Sequence, residues 1–185
     1  MLHDLHNANL SPVKIGQMNS VQTRTAILDE DSVKRKIKRM ALELAEQNIT
    51  EKEVVIAGIV GNGVTVANSI ATELQKLSGL IVNVITIELN KKEIKEVSLS
   101  PSVDLTNKTI IIVDDVANTG RTMFYALKPF LASSPKKIQT LALVERSHKE
   151  FPIQTDYTGL SITTTLQEHI AVETEGDRIT GAWLY

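Results

Sequence analysis

The sequence predicts an α/β fold, with a central parallel sheet flanked by helices, and three observations carry that expectation. Short β-branched runs alternate along the chain with segments of helical period. The strongest run, Thr109-Ile-Ile-Ile-Val113, is apolar almost throughout, as a strand covered on both faces must be. Two turns, at 58–63 and 114–122, directly follow apolar runs, where parallel sheets of this kind bind their ligands.

Residues 1–24 are polar and Asn-rich, without a sustained period, and read as an extension ahead of one domain over 25–185. Val33, Ile37, Met40, Ala41, Leu44 and Ala45 then recur at helical spacing. Asp31 or Ser32 suits the N-cap of that helix, and its end falls near Asn48. Val54-Val-Ile-Ala-Gly-Ile59 is too short for a helix and rich in β-branched residues, so it reads as a buried strand. A helix over 64–77 follows, with Val66, Ile70, Leu74 and Leu77 on one face, and 80–87 reads as the next strand. Residues 90–107 are charged and irregular and contain Pro101, which predicts a long loop with a hairpin inside it. After the 109–113 strand a helix runs to about Leu131, and 138–144 forms a further strand.

Composition narrows the function classes. A chain of 185 residues, 42% apolar and 23% charged, suits one ordinary globular domain. The absence of cysteine excludes disulfides, thiolate metal sites and cysteine nucleophiles, and fits a reducing compartment. No apolar run reaches the roughly 20 residues that span a bilayer, and the first residues lack a secretory pattern. A cytoplasmic protein without a membrane partner is expected. The net charge of −2 argues against coating nucleic acid by bulk electrostatics, while leaving room for a local basic face.

The run Ile110-Ile-Ile-Val-Asp-Asp-Val-Ala-Asn-Thr-Gly-Arg-Thr122 carries the chemistry. An apolar strand delivers two adjacent carboxylates, Asp114 and Asp115, and a short loop and a helix follow. Backbone N–H groups at such a strand–loop–helix junction suit a phosphate. Gly120 permits close approach, and the hydroxyls of Thr119 and Thr122 add donors. The acidic pair suits the two hydroxyls of a sugar diol, and also a magnesium ion, held directly or through its waters. Acidic pair and loop together read as a sugar-phosphate site.

This run resembles the phosphoribosyl diphosphate (PRPP) motif of type I phosphoribosyltransferases. The resemblance implies that Asp114 and Asp115 hold the ribose hydroxyls and magnesium, and that Ala117, Asn118, Thr119, Gly120, Arg121 and Thr122 form the 5′-phosphate loop. Ala26-Ile-Leu-Asp-Glu30 and Leu143-Val-Glu-Arg-Ser-His-Lys-Glu-Phe-Pro-Ile153 extend the likeness to the pyrimidine operon attenuator/uracil phosphoribosyltransferase family. The implied architecture is a type I phosphoribosyltransferase fold, with about five parallel strands and a small C-terminal hood. The implied reaction is transfer of phosphoribose from PRPP to a nucleobase, uracil first among them, giving UMP and pyrophosphate. The fold commonly forms dimers, so a homodimer or higher homo-oligomer is expected.

The departures from the family pattern matter as much. Gly61, Asn62 and Gly63 occupy the pyrophosphate loop, where relatives read Thr-Arg-Gly, so the backbone donors remain and the cation is gone. One preorganised donor is worth about 10²–10³ in rate. The loop that closes over PRPP opens here as Leu89-Asn-Lys-Lys-Glu93, with Lys91 or Lys92 as the source of charge. Asn118 stands where purine-specific relatives place an aspartate, which points away from purines. Arg146 and His148 match an Arg-Gly-His run on the base or hood side, with Ser147 in place of glycine.

Lys34, Arg35, Lys38 and Arg39 lie in a segment with five cations in six residues. A solvated helix face explains it, and RNA binding is the functional alternative, since relatives use this helix. Arg39 matches an RNA-contact position, but Leu42 replaces an expected histidine. The rival to an enzyme is therefore a nucleotide-sensing, RNA-binding regulator that keeps the pocket and has lost turnover. A dinucleotide loop at 58–63, with Glu88 as its ribose acid, is opposed by Val66, which stands where Gly or Ala permits close packing. His3 and His6 would need a folded context to bind metal, and His169 is isolated.

Overall fold

The alternation of side chains along buried strands sorts the core into two layers, and those layers set the architecture. The computed structural model describes residues 24–165 and 167–185. The remainder of the extension, with His3 and His6, lies outside the described residues. The elements run β1 (Thr25–Asp29), α1 (Glu30–Gln47), β2 (Glu53–Ile59), α2 (Asn62–Leu77), β3 (Ile81–Leu89), β4 (Val97–Ser100) and β5 (Thr109–Ala117). They continue α3 (Arg121–Ala126), α4 (Lys128–Leu131), β6 (Lys137–Arg146), β7 (Tyr157–Ile162), β8 (Ile170–Glu175) and β9 (Arg178–Leu184).

The main sheet has the order β4-β3-β2-β5-β6-β7, five parallel strands with the antiparallel β4 at one edge. On β5, Ile111 and Val113 face the layer that holds α1 and α2, while Ile110 and Ile112 face Met123 and Phe130 of α3 and α4. Each such side chain contributes about 1.5–3 kcal/mol on burial. This two-sided burial is why β5 shows no polar alternation in its apolar stretch. The expected parallel core is present, whereas the 90–107 loop contributes one strand, β4, which pairs with β3 outside the loop in place of a hairpin within it.

Four boundaries differ from the sequence expectations. Asp29, not Asp31 or Ser32, caps α1, accepting from the Ser32 N–H at 2.8 Å. The acidic pair lies inside β5, because Asp114, Val116 and Ala117 continue the ladder with β6. The helix expected to reach Leu131 is two short helices, since Pro129 lacks an N–H and begins a new turn. The hood is not wholly C-terminal: β1 pairs with β9, and β8 completes a separate three-stranded sheet. Arg24, last in the segment read as an extension, stacks on Trp183 of that sheet, 3.7 Å from guanidinium carbon to ring centroid.

Gly58 sets the seating of α2 on β2. A Cβ there would lie 2.8 Å from the Val64 Cα and 2.9 Å from the Ala67 Cβ. Gly58→Ala should therefore lift the start of α2 and destabilise the fold by about 1–3 kcal/mol, measured as a lower midpoint in chemical denaturation.

Candidate active site

Two adjacent parallel strands bring the chemistry together. Gly58 of β2 and Val113 of β5 are register partners, so the turn after β2 and the acidic end of β5 open at the same edge. Gly63 makes the approach close. A Cβ there would lie 3.1 Å from the Val113 carbonyl oxygen and 3.2 Å from Asp114 Oδ1. The start of α2 and the Asp114 carboxylate therefore face one space.

Asp114 is buried, whereas Asp115 is partly open to solvent. Lys91, at the head of the 90–107 loop, places Nζ 3.0 Å from Asp114 Oδ1 and 3.6 Å from Asp115 Oδ1. Burial above all, opposed by Lys91 and reinforced by the neighbouring Asp115, raises the Asp114 carboxyl to about 7. Burial opposes the Lys91 ammonium, yet the two carboxylates outweigh it and hold its pKa above the ordinary value. Of the two lysines considered from sequence, Lys91 is the one on the acidic pair, and Lys92 is exposed.

The loop after β5 has a rigid backing. Lys149 Nζ donates to the carbonyls of Ala117 and Asn118 at 3.1 and 3.3 Å, and the N–H groups of Glu150 and Phe151 both donate to Thr119 O at 3.0 Å. These bonds draw successive carbonyls to one side, the arrangement in which neighbouring N–H groups make an anion-binding nest. Gly120 turns the chain at φ 84°. A cavity of about 190 Å³ lies along this loop, lined by Lys91, Asp114, Asn118, Thr119, Gly120, Arg121 and Thr122 among others. A cavity of about 660 Å³ lies elsewhere, among Val33, Asn68 and Arg178; it holds no acidic pair, so volume does not choose the site.

The other sequence candidates are placed as follows. Arg146 ends β6, is buried, and donates to Asn118 Oδ1 at 3.1 Å and to the Thr165 carbonyl. It thus joins the loop to the segment leading to the hood. His148 is exposed. Gly61 and Asn62 lie at the start of α2, but the Asn62 side chain bonds to Val172 O of the hood at 2.8 Å. On α1, Lys34 pairs with Glu30 at 2.9 Å, and Arg35 donates to Ser32 Oγ. Arg39 bonds to Glu43 and to the Thr158 and Gly159 carbonyls, while Lys38 is exposed.

The sequence reading missed Glu145 and Lys149. Their spacing of four was a visible hint, but both are in the strand-to-loop segment around Arg146, where helical pairing is not expected. Glu145 Oε1 lies 3.0 Å from Lys149 Nζ and accepts from the Thr155 N–H at 3.1 Å, while Oε2 accepts from the Thr158 hydroxyl at 3.0 Å.

The donor set was compared with magnesium. Among the described residues no group of three or more His, Cys, Asp or Glu could cage a metal. Two adjacent carboxylates do fit magnesium, which keeps several waters and is shared with substrate phosphates.

With this geometry in hand, comparison with known proteins is informative. Residues 23–176 match the phosphoribosyl transferase domain. "Bifunctional protein PyrR" of Staphylococcus carnosus is 39% identical over 163 residues, covering 81% of this chain and 93% of that protein. The chain belongs to the phosphoribosyltransferase family, among the PyrR proteins. The PyrR of Clostridium novyi is 34% identical over 162 residues, covering 82% and 91%, and that of Streptococcus pneumoniae strain CGSP14 is 37% identical over 152, covering 80% and 88%. A hypoxanthine-guanine phosphoribosyltransferase structure from Bacillus anthracis superposes with a TM-score of 0.70 at 18% identity, covering 85% of this chain and 96% of the other. A hypoxanthine phosphoribosyltransferase from Trypanosoma cruzi gives 0.67 at 16% identity, covering 75% and 82%. These solved structures speak to the fold, which is that of type I phosphoribosyltransferases. No helix among the described residues is long and apolar enough to cross a membrane.

The backing of the loop has a pH signature. Burial raises the Glu145 carboxyl, but the Thr155 N–H, the Lys149 ammonium and the Thr158 hydroxyl outweigh it and hold its pKa below the ordinary 4.5. A depressed carboxylate contributes stability above its unfolded value, and that contribution is lost as pH falls through the folded value. Glu145→Gln should therefore melt earlier than the natural chain at pH 7. The two melting temperatures should converge as pH falls from the ordinary carboxylate range through the lowered folded value; a gap that never narrows in acid would remove Glu145 from this role.

Proposed function

We propose that the chain transfers phosphoribose from PRPP to uracil, releasing pyrophosphate and UMP. The observation that carries this reading is the joint placement of the acidic pair, the glycine turn after β2 and the loop after β5 at one sheet edge, with Lys91 over the carboxylates. Asp114 and Asp115 accept hydrogen bonds from the two ribose hydroxyls. The segment Ala117 to Thr122 holds the 5′-phosphate, and the backbone of Gly61, Asn62 and Gly63 faces the pyrophosphate. The bond between the anomeric carbon and the pyrophosphate oxygen breaks, the oxygen keeping the electron pair. A ring nitrogen of the base bonds to that carbon and gives up its proton to solvent or to the departing pyrophosphate.

Mg²⁺, when bound, would neutralise charge on the diphosphate, with Asp114 and Asp115 as its protein ligands, directly or through water. Lys91 occupies the carboxylates in the free protein, and its flexible four-carbon stem would let it turn to the diphosphate when substrate arrives. Uracil is favoured by two features: Asn118 is an amide where an aspartate would suit a purine, and the relatives are PyrR proteins. Arg146 holds that amide, while His148 remains on the base side as a candidate contact. The intracellular supply of PRPP makes the protein cytoplasmic. Exposed Phe124 and Tyr125, which cluster with Phe151 beside the loop, provide a surface for a homodimer.

A second reading adds RNA-dependent regulation, in keeping with the relatives' name, bifunctional protein PyrR, and with the cations of α1. Its surface would be Lys34, Arg35 and Lys38, with Arg39 contributing less because its guanidinium is already held by carbonyls.

Purified protein with PRPP, magnesium and uracil should form UMP and pyrophosphate in equal amounts. Asp115→Ala should weaken PRPP binding by about 10–100-fold, the range for hydrogen bonds to a charged group, as measured by calorimetry. Retained affinity would remove Asp115 from the ribose site. Charge reversal at Lys34, Arg35 and Lys38 should abolish salt-sensitive RNA binding and leave UMP formation intact; unchanged RNA binding would exclude that helix face.

A further inference from the structure

The turn after β2 and the hood are far apart in the chain, yet one side chain joins them. Asn62 Nδ2 donates to Val172 O of β8 at 2.8 Å, and the Thr174 hydroxyl donates to Asn62 Oδ1 at 3.3 Å. Both ends of the amide are used on the same strand, which orients the side chain more firmly than a single bond would. The backbone at this place serves the opposite side. Gly61 turns at φ 91°, Asn62 opens α2, and Gly63 packs against Asp114.

The hood depends on contacts of this kind. Its three strands, in the order β1-β9-β8, share no hydrogen-bonded ladder with the main sheet. Side-chain packing on α1 and α2 and a few polar contacts set its position. Small units joined in this way open at lower free energy than a central sheet. Tying such a unit to a ligand-binding turn couples its opening to ligand.

We propose that Asn62 is a positioning residue that latches the hood to the pyrophosphate-side turn, so that an anion held by the turn's backbone steadies β8 over the site. This rests on the assignment of residues 61–63 to pyrophosphate. In place of a charged side chain aimed at the leaving group, the chain has an amide directed to the hood.

The test is hydrogen exchange at the backbone amides of β8, with and without magnesium pyrophosphate, in the natural chain, Asn62→Ala and Thr174→Val. Pyrophosphate affinity is measured on the same samples. Thr174→Val keeps the side-chain volume and alters a residue outside the ligand turn, so it serves if Asn62→Ala fails to fold. The natural chain should bind pyrophosphate and show β8 exchange slowed by about 3–10-fold, in keeping with one or two hydrogen bonds. Thr174→Val, which lies outside the ligand turn, should still bind, with that slowing lost, and Asn62→Ala should lose the slowing too when compared at saturating pyrophosphate. A merely structural contact would speed exchange in the free variants and leave the ligand-induced slowing intact, and that outcome overturns the latch. So does a natural chain that binds pyrophosphate without slowing at β8. A natural chain that binds no pyrophosphate overturns the assignment of the turn itself, and the latch with it.

Discussion

A carboxylate buried at the end of the central strand is the constraint around which the site is arranged. Asp114 must have charge or hydrogen-bond partners, because an isolated carboxylate at that depth would simply keep its proton. Its partners are the Lys91 ammonium and the N–H of Asp115, and the glycine at position 63 admits the start of α2 on its other side. Each of these comes from a different segment. The acidic pair thus organises the loop from β3, the turn after β2 and the strand that carries it.

The same economy applies to the loop after β5. Its carbonyls are taken up by Lys149 and by the N–H groups of Glu150 and Phe151, so the loop's shape is set from behind before any ligand binds. Lys149 is in turn held by Glu145, whose other oxygen bonds to Thr158 on β7. Preorganisation of this kind matters in a reaction whose protein contribution is mainly positioning and stabilisation of leaving charge. On the proposed assignment of residues 61–63 to pyrophosphate, the lack of a cation at position 62 would place more of that task on backbone donors and on Lys91.

Much of this was legible in the chain. The β-branched runs and the strand–acidic pair–loop–helix motif are local patterns, and local patterns survive in a sequence because each reflects the chemistry of neighbouring residues. The parallel sheet followed from strands alternating with helices. The helix boundary at Asp29 was missed because Asp29, Asp31 and Ser32 all suit an N-cap within four positions, and only the backbone geometry separates them. The break at Leu127 was missed because apolar residues on either side of Pro129 keep a helical spacing across it.

What the sequence determined by itself was therefore the fold class, the central strand and the sugar-phosphate motif, all written in contiguous residues. Tertiary structure alone decided which of two adjacent lysines faces the acidic pair, that Lys149 supports the loop after β5, that β1 joins the hood, and that Asn62 turns toward β8. These are pairings between residues distant in the chain. Their formation depends on strand order and on close backbone approach at Gly63, and neither leaves a periodic trace in the sequence.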